Sequence, residues 1–109
     1  GGGDTNIGVE IVCGKKIQFE DNVFLGRNVI VRDTNGEHYL SRQGYKTSRA
    51  VILGNHAWLC DRCTIMPGVH VYPGGIVGAG AFVTADVPAF SIVSGNPAQV
   101  VDEEVYWKC

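Results

Sequence analysis

Along most of the chain an apolar residue returns at every sixth position: Ile7, Cys13, Phe19, Leu25 and Val31, then Leu53, Leu59, Ile65, Val71, Val77 and Val83. With about 45–50% of residues apolar in an ordinary chain, eleven in one phase arise by chance about once in several thousand trials. One residue later glycine recurs, at Gly8, Gly14, Gly26, Gly54 and Gly78. Four residues later stand small or β-branched side chains: Ile11, Ile17, Val23, Val29, Ala57, Cys63, Val69, Ala81 and Val87. A helix face repeats every 3.6 residues and a strand every 2. A period of six with two inward columns therefore predicts short strands joined by tight turns and wound as a coil, six residues to a flat face. Three faces make an 18-residue coil, so Ile7 and Leu25, or Leu53 and Val71, stack at the parallel-strand spacing of about 4.8 Å. The glycines fall at corners, where positive φ or close backbone approach is needed.

The phase breaks once. From Val31 to Leu53 is 22 residues, so the register is lost between Asp33 and Ala50. This stretch is polar and longer than a compact domain needs, which marks it as functional. After Pro88 the pattern predicts an edge strand at Phe90–Val93 and a turn at Asn96-Pro97. Asp102 to Trp107 is expected to form a short helix or strand over the end of the coil. The organisation expected is one domain over 1–109, with 1–6 an expression remnant or frayed coil and 89–109 a C-terminal extension.

Composition narrows the function. The 109 residues are 45% hydrophobic and 18% charged, with 9 Lys+Arg against 11 Asp+Glu. A net charge of −2 with no basic cluster argues against nucleic acid. Apolar runs fall far short of the roughly 20 residues that span a bilayer, and no leader is visible, so a cytoplasmic protein without a membrane span is expected. Cys60 and Cys63 stand in C-x-x-C spacing, but a second ligand pair is missing and the repeat itself places Cys63 inward and Cys60 at a corner. No metal is expected. His56 and His70 fall on exterior positions. His38 is the histidine of the excursion. A core of about four coils is small and open-ended, which favours association into a homotrimer.

Four blocks carry a resemblance: Gly54-Asn55-His56-Ala57-Trp58, Met66-Pro67-Gly68-Val69, Val77 through Pro88, and Ser91-Ile92-Val93-Ser94-Gly95-Asn96-Pro97-Ala98. With the six-residue columns they resemble the hexapeptide-repeat acyltransferases of the maltose, galactoside and xenobiotic O-acetyltransferase type. The resemblance implies an all-β, left-handed parallel β-helix with one excursion loop at about 33–50 and a short C-terminal cap. Its left hand reverses the usual rule for parallel crossovers and is taken from the resemblance alone. It also implies transfer of an acetyl group from acetyl-CoA to a hydroxyl or amine of a sugar or small molecule, in active sites between subunits.

In such enzymes a histidine on the excursion is the general base, and Asp-x-x-x-x-His here makes that residue His38. An alcohol becomes a competent nucleophile when a base near neutral pKa takes its proton, and imidazole is suited to that at pH 7. The oxygen attacks the thioester directly, leaving the protein to position the reactants and stabilise the oxyanion. Asp33 or Glu37 is placed to fix the imidazole tautomer, with Asp33 preferred. The resemblance sets Trp58 beside the active site and nominates Gly78, Ala79 and Thr84 for the pantetheine arm. Where relatives place cations, this chain has Ala85 and Gln99, so Arg42, Lys46, Arg49, Arg62 or Lys108 would have to meet the CoA phosphates. Two other classes stay open: a non-catalytic trimerising or scaffolding module, and a carbonic anhydrase on a similar coil, which would need three convergent histidines.

Overall fold

The computed structural model describes residues 8–34 and 48–108. Each six-residue unit leaves room for only two or three extended residues before the next corner, and twelve strands follow one another among the described residues. They are β1 Glu10–Val12, β2 Ile17–Phe19, β3 Phe24–Leu25, β4 Ile30–Arg32, β5 Val51–Leu53, β6 Trp58–Leu59, β7 Thr64–Ile65, β8 His70–Val71, β9 Ile76–Val77, β10 Phe82–Val83, β11 Ile92–Gly95 and β12 Ala98–Asp102. They form three sheets, β1-β4-β7-β10 (face A), β2-β5-β8 (face B) and β3-β6-β9-β11-β12 (face C), all parallel except for the β11–β12 pair. A bridge between Val71 and Val87 continues face B. The chain thus visits A, B and C in rotation, as a three-sided coil.

Register bears out the 18-residue coil in its C-terminal part. Leu53 pairs with Val71, Leu59 with Val77 and Ile65 with Val83. Across the excursion the partners are 34 apart, as in Phe24 with Trp58, so the excursion adds 16 residues to one coil. The inward columns form the core: Val31, Leu53, Leu59, Ile65, Val71, Val77 and Val83 in one, Val29, Ala57, Cys63, Val69, Ala81 and Val87 in the other, all at most 1% exposed. Residues between them along the strands, such as Trp58 and His70, point outward.

The first coil departs from the expectation. Ile11 pairs with Val31, 20 residues away, where the repeat demanded Cys13. Cys13 is exposed, and so, at 42%, is Ile11. The two extra residues widen the corner at 13–16, which wraps around the Asp33 carboxylate described below. The expected stacking of Ile7 on Leu25 lies outside the described residues.

At the corners side-chain oxygens fasten one coil to the next: Asn55 Oδ1 accepts the Asp21 N–H at 2.9 Å, Asp61 Oδ1 that of Arg27 at 2.8 Å, and Asp86 Oδ1 that of His70 at 2.9 Å. Gly54 is required by proximity, since a Cβ there would stand 2.6 Å from the Val71 carbonyl oxygen.

The C-terminal expectations need correction. β11 lies between β9 and β12 and is therefore an interior strand, while Phe90 stands at a corner with φ of 54°. The turn at Asn96-Pro97 is present, with a cis peptide bond, and joins β11 to β12. Residues 103–108 are neither helix nor strand. They run down the outside of face C, because the outward row Phe24, Trp58, Ile76 and Ile92 gives Trp107 apolar surface to cover. No helix among the described residues is long and apolar enough to cross a membrane.

Candidate functional site

The corner between faces A and B carries the excursion. It leaves after β4 and returns before β5, and its two ends meet: Thr34 bridges Ser48, and the Arg49 N–H donates to the Asp33 carbonyl at 2.8 Å. Residues 35–47 lie outside the described residues, and His38 and Glu37 with them.

Asp33 sits at the root of this neck, fully buried. Its Oδ1 accepts the Gly14 N–H at 2.6 Å; its Oδ2 accepts the Lys15 N–H at 2.7 Å, the Lys16 N–H, and the Cys13 thiol at 3.6 Å. Burial pushes the carboxyl pKa up, but these donors outweigh it and hold the group below its ordinary value of 3.8. Both oxygens are thus engaged by the widened corner of the first coil. Thr84, exposed, stands at the same A–B corner two coils on, and Met66, Pro67 and Gly68 stand there one coil on. Gly68 donates its N–H to the Arg49 carbonyl at 3.1 Å and lies against the Arg49 side chain.

Face C carries the aromatic residues. Trp58, half-buried on β6, meets Phe24 edge-on at 6.5 Å and Trp107 at 5.4 Å. Trp107 also lies 6.1 Å from Phe24 and stacks on His56 at 3.8 Å, the planes 7° apart. Two hydrogen bonds close that pair: the Trp107 indole N–H donates to the His56 carbonyl at 2.9 Å, and His56 Nε2 donates to the Trp107 carbonyl at 2.7 Å. His56 is on the exterior as expected, but its partner was not anticipated. Aromatic residues in an otherwise polar tail, opposite a repeat with Phe24 and Trp58 eighteen plus sixteen residues apart, were the available signal.

Gly78 and Ala79 occupy the corner between faces C and A. A Cβ on Gly78 would stand 3.1 Å from the Val93 carbonyl oxygen, and Ala79 is exposed. Arg27 and Arg62, both exposed, stand on this corner in the preceding coils, joined by an Arg62 N–H to Arg27 carbonyl bond of 2.7 Å.

The structure therefore divides the nominated residues. Trp58, Gly78 and Ala79 share face C and its C–A corner, while Asp33, the neck of the excursion and Thr84 share the A–B corner. In a three-sided coil that corner is opposite face C. His70 stacks on Tyr72 at 3.9 Å, and no group of three His, Cys, Asp or Glu among the described residues could hold a metal ion. Cys63 is buried in its inward column, and burial, with smaller contributions from Cys60 and Asp61, pushes its thiol up to about 12. A hollow lined by Val100, Val101, Asp102, Glu103 and Glu104 touches none of the nominated residues.

No protein-family model matches the chain. Galactoside O-acetyltransferase of Escherichia coli (strain K12) is 31% identical over 101 residues, 91% of this chain and 50% of that protein. Among solved structures, the polySia-specific acetyltransferase NeuO superposes with a TM-score of 0.87 at 27% identity, over 95% of this chain and 46% of its own. A galactoside acetyltransferase in complex with coenzyme A superposes with a TM-score of 0.77 at 30% identity, over 88% of this chain and 49% of its own. The chain spans about half the length of each of these relatives.

Proposed function

We propose, for a chain whose coil is the left-handed parallel β-helix of the hexapeptide-repeat acetyltransferases, that it transfers an acetyl group from acetyl-CoA to a hydroxyl or amine of a sugar or small molecule. The observation that carries this is the likeness, over 88% of the chain, to a relative that holds coenzyme A. The residues of face C suit that co-substrate. Gly78 keeps its corner narrow, with its own N–H and carbonyl engaged by Val93 and Ala81, Ala79 offers backbone groups to a pantetheine arm, and Trp58 gives an apolar wall beside them. Arg27 and Arg62 on the same corner place guanidinium groups near the phosphates, compensating for Ala85 and Gln99.

His38 is the general base in this proposal, taking the acceptor's proton as the oxygen or nitrogen attacks the thioester carbonyl. Asp33 contributes to catalysis by holding the root of the excursion, since both its oxygens are engaged by the 13–16 corner. Because the A–B corner is opposite face C, the neck of the excursion and the Trp58 wall of one chain lie on different sides of the coil. A homotrimer with parallel axes brings the excursion of one protomer, with Thr84, against face C of the next, and the active site belongs to the pair. The enzyme acts in the cytoplasm, where acetyl-CoA is made and used.

Calorimetric titration with acetyl-CoA at low and moderate salt tests the donor; micromolar affinity that weakens with salt is expected. His38→Ala should abolish turnover while leaving acetyl-CoA affinity nearly unchanged. Light scattering should give about three times 11.7 kDa. Absence of acetyl-CoA binding would overturn the proposal and leave a non-catalytic trimerising or scaffolding module, the reading that Ala85 and Gln99 favour, while a monomer would overturn the shared site.

A further inference from the structure

The tail 103–108 has the build of a latch. It starts at β12, where Asp102 Oδ1 accepts the Glu103 N–H at 2.9 Å and Glu104 takes a left-handed φ of 57°. The Val105 N–H then donates to the Phe90 carbonyl at 2.8 Å, and Tyr106 packs on Phe90 with ring centroids 5.0 Å apart. From there the chain passes the level of Ile76, an outward-row residue left only 4% exposed, and reaches Trp58. Its end is held by the His56–Trp107 stack and the two hydrogen bonds of that pair.

Both anchors sit on unfavourable backbone. His56 and Phe90 have φ of 59° and 54°, a region that Asn22 occupies at the same B–C corner of the first coil and Gly74 at the one between them. Bulky side chains in this region are strained. At this corner the imidazole of His56 is the surface on which Trp107 stacks. No strand or helix ladder supports the tail, Glu103 and Tyr106 are exposed, and the few contacts at its end are of the kind that open locally.

We propose that residues 103–108 are a strap that closes over Trp58 and competes with the acyl donor for it, so that acetyl-CoA binds fully only when Trp107 leaves His56. The inference rests on the proposal above that Trp58 walls the donor groove. The strap hinges at Glu104 and is latched by His56 and Trp107. When it is closed, Trp107 occupies the aromatic surface that the apolar pantetheine arm would cover. Apparent affinity is then lowered by the fraction of molecules with the strap open.

The test compares the wild-type chain with His56→Asn and Trp107→Ala. His56→Asn removes the stack while placing a residue suited to the left-handed corner, so its fold is preserved; far-UV circular dichroism checks this. Acetyl-CoA dissociation constants are measured by calorimetry, and amide and indole hydrogen exchange of Val105 and Trp107 is followed by NMR with and without acetyl-CoA. The expected result is affinity about tenfold tighter in both variants, with loss of protection of the Trp107 indole N–H in the wild type on saturation. Binding of acetyl-CoA by the variants but not by the wild type would support the strap as well. Unchanged affinity in both variants, with the indole N–H equally protected in bound wild type, overturns the strap and leaves the donor assignment standing. Absence of acetyl-CoA binding in all three proteins overturns the donor assignment, and the strap's role falls with it.

Discussion

The carboxylate of Asp33 accepts the backbone N–H of Gly14 at 2.6 Å, across 19 residues of chain. Lys15 and Lys16 donate to the same group, so one buried side chain both terminates the first coil's widened corner and roots the excursion that begins one residue later. A neutral amide presents one acceptor oxygen to donors that now share two and carries no charge to oppose them. Asp33→Asn should therefore cost about 1–3 kcal/mol at pH 7, equivalent to a fall in Tm of roughly 5–15 °C in a domain this size. The acid limb carries the sign. A carboxyl whose folded pKa lies below its unfolded value stabilises fully above the unfolded value, near 3.8, and loses that contribution as pH falls through the lower, folded one. Thermal melts from pH 7 to pH 2 should show the two proteins converging at the acid end; equal Tm values at pH 7 would refute the role given to Asp33.

Two corner glycines separate proximity from backbone conformation. At Gly54 an added Cβ meets the Val71 carbonyl oxygen at 2.6 Å, a backbone atom of the next coil that cannot move aside alone. At Gly80 nothing lies within 4 Å, and the obstacle is only its φ of +72°. Gly80→Ala should cost about 1–2 kcal/mol, the penalty of a left-handed alanine. Gly54→Ala should cost more, since the coil spacing itself must yield. Urea denaturation of both variants checks the order.

The three thiols among the described residues should react in a fixed sequence. Cys13 is exposed, Cys60 is half-buried with its pKa raised by burial and by Asp61, and Cys63 is buried and pushed up to about 12. At pH 8 the Cys63 thiolate amounts to about one part in ten thousand before access is considered. Peptide mapping after iodoacetamide treatment should find Cys13 modified first, Cys60 slowly, and Cys63 only in denaturant. Rapid labelling of Cys63 in the native protein would contradict its place in the inward column.

The sequence alone determined the coil, its three faces and the point where the chain leaves it. These are local facts: a period of six is set by residues a few positions apart, and inward side chains such as Leu53 and Val71 must be apolar wherever the coil goes. His38 and Thr84 could be nominated for the same reason, because they stand in short motifs. Tertiary structure alone decided what depends on residues far apart in the chain. The first coil slips by two residues, setting Ile11 where Cys13 was expected, because three N–H groups from 14–16 find the carboxylate of Asp33. Trp107 runs down face C toward His56, since an outward row of apolar side chains recurring at coil spacing becomes continuous only when the coils are stacked. The opposition of the A–B corner and face C, on which the proposed sharing of the active site between protomers depends, exists only in a three-sided solid and has no counterpart along the chain.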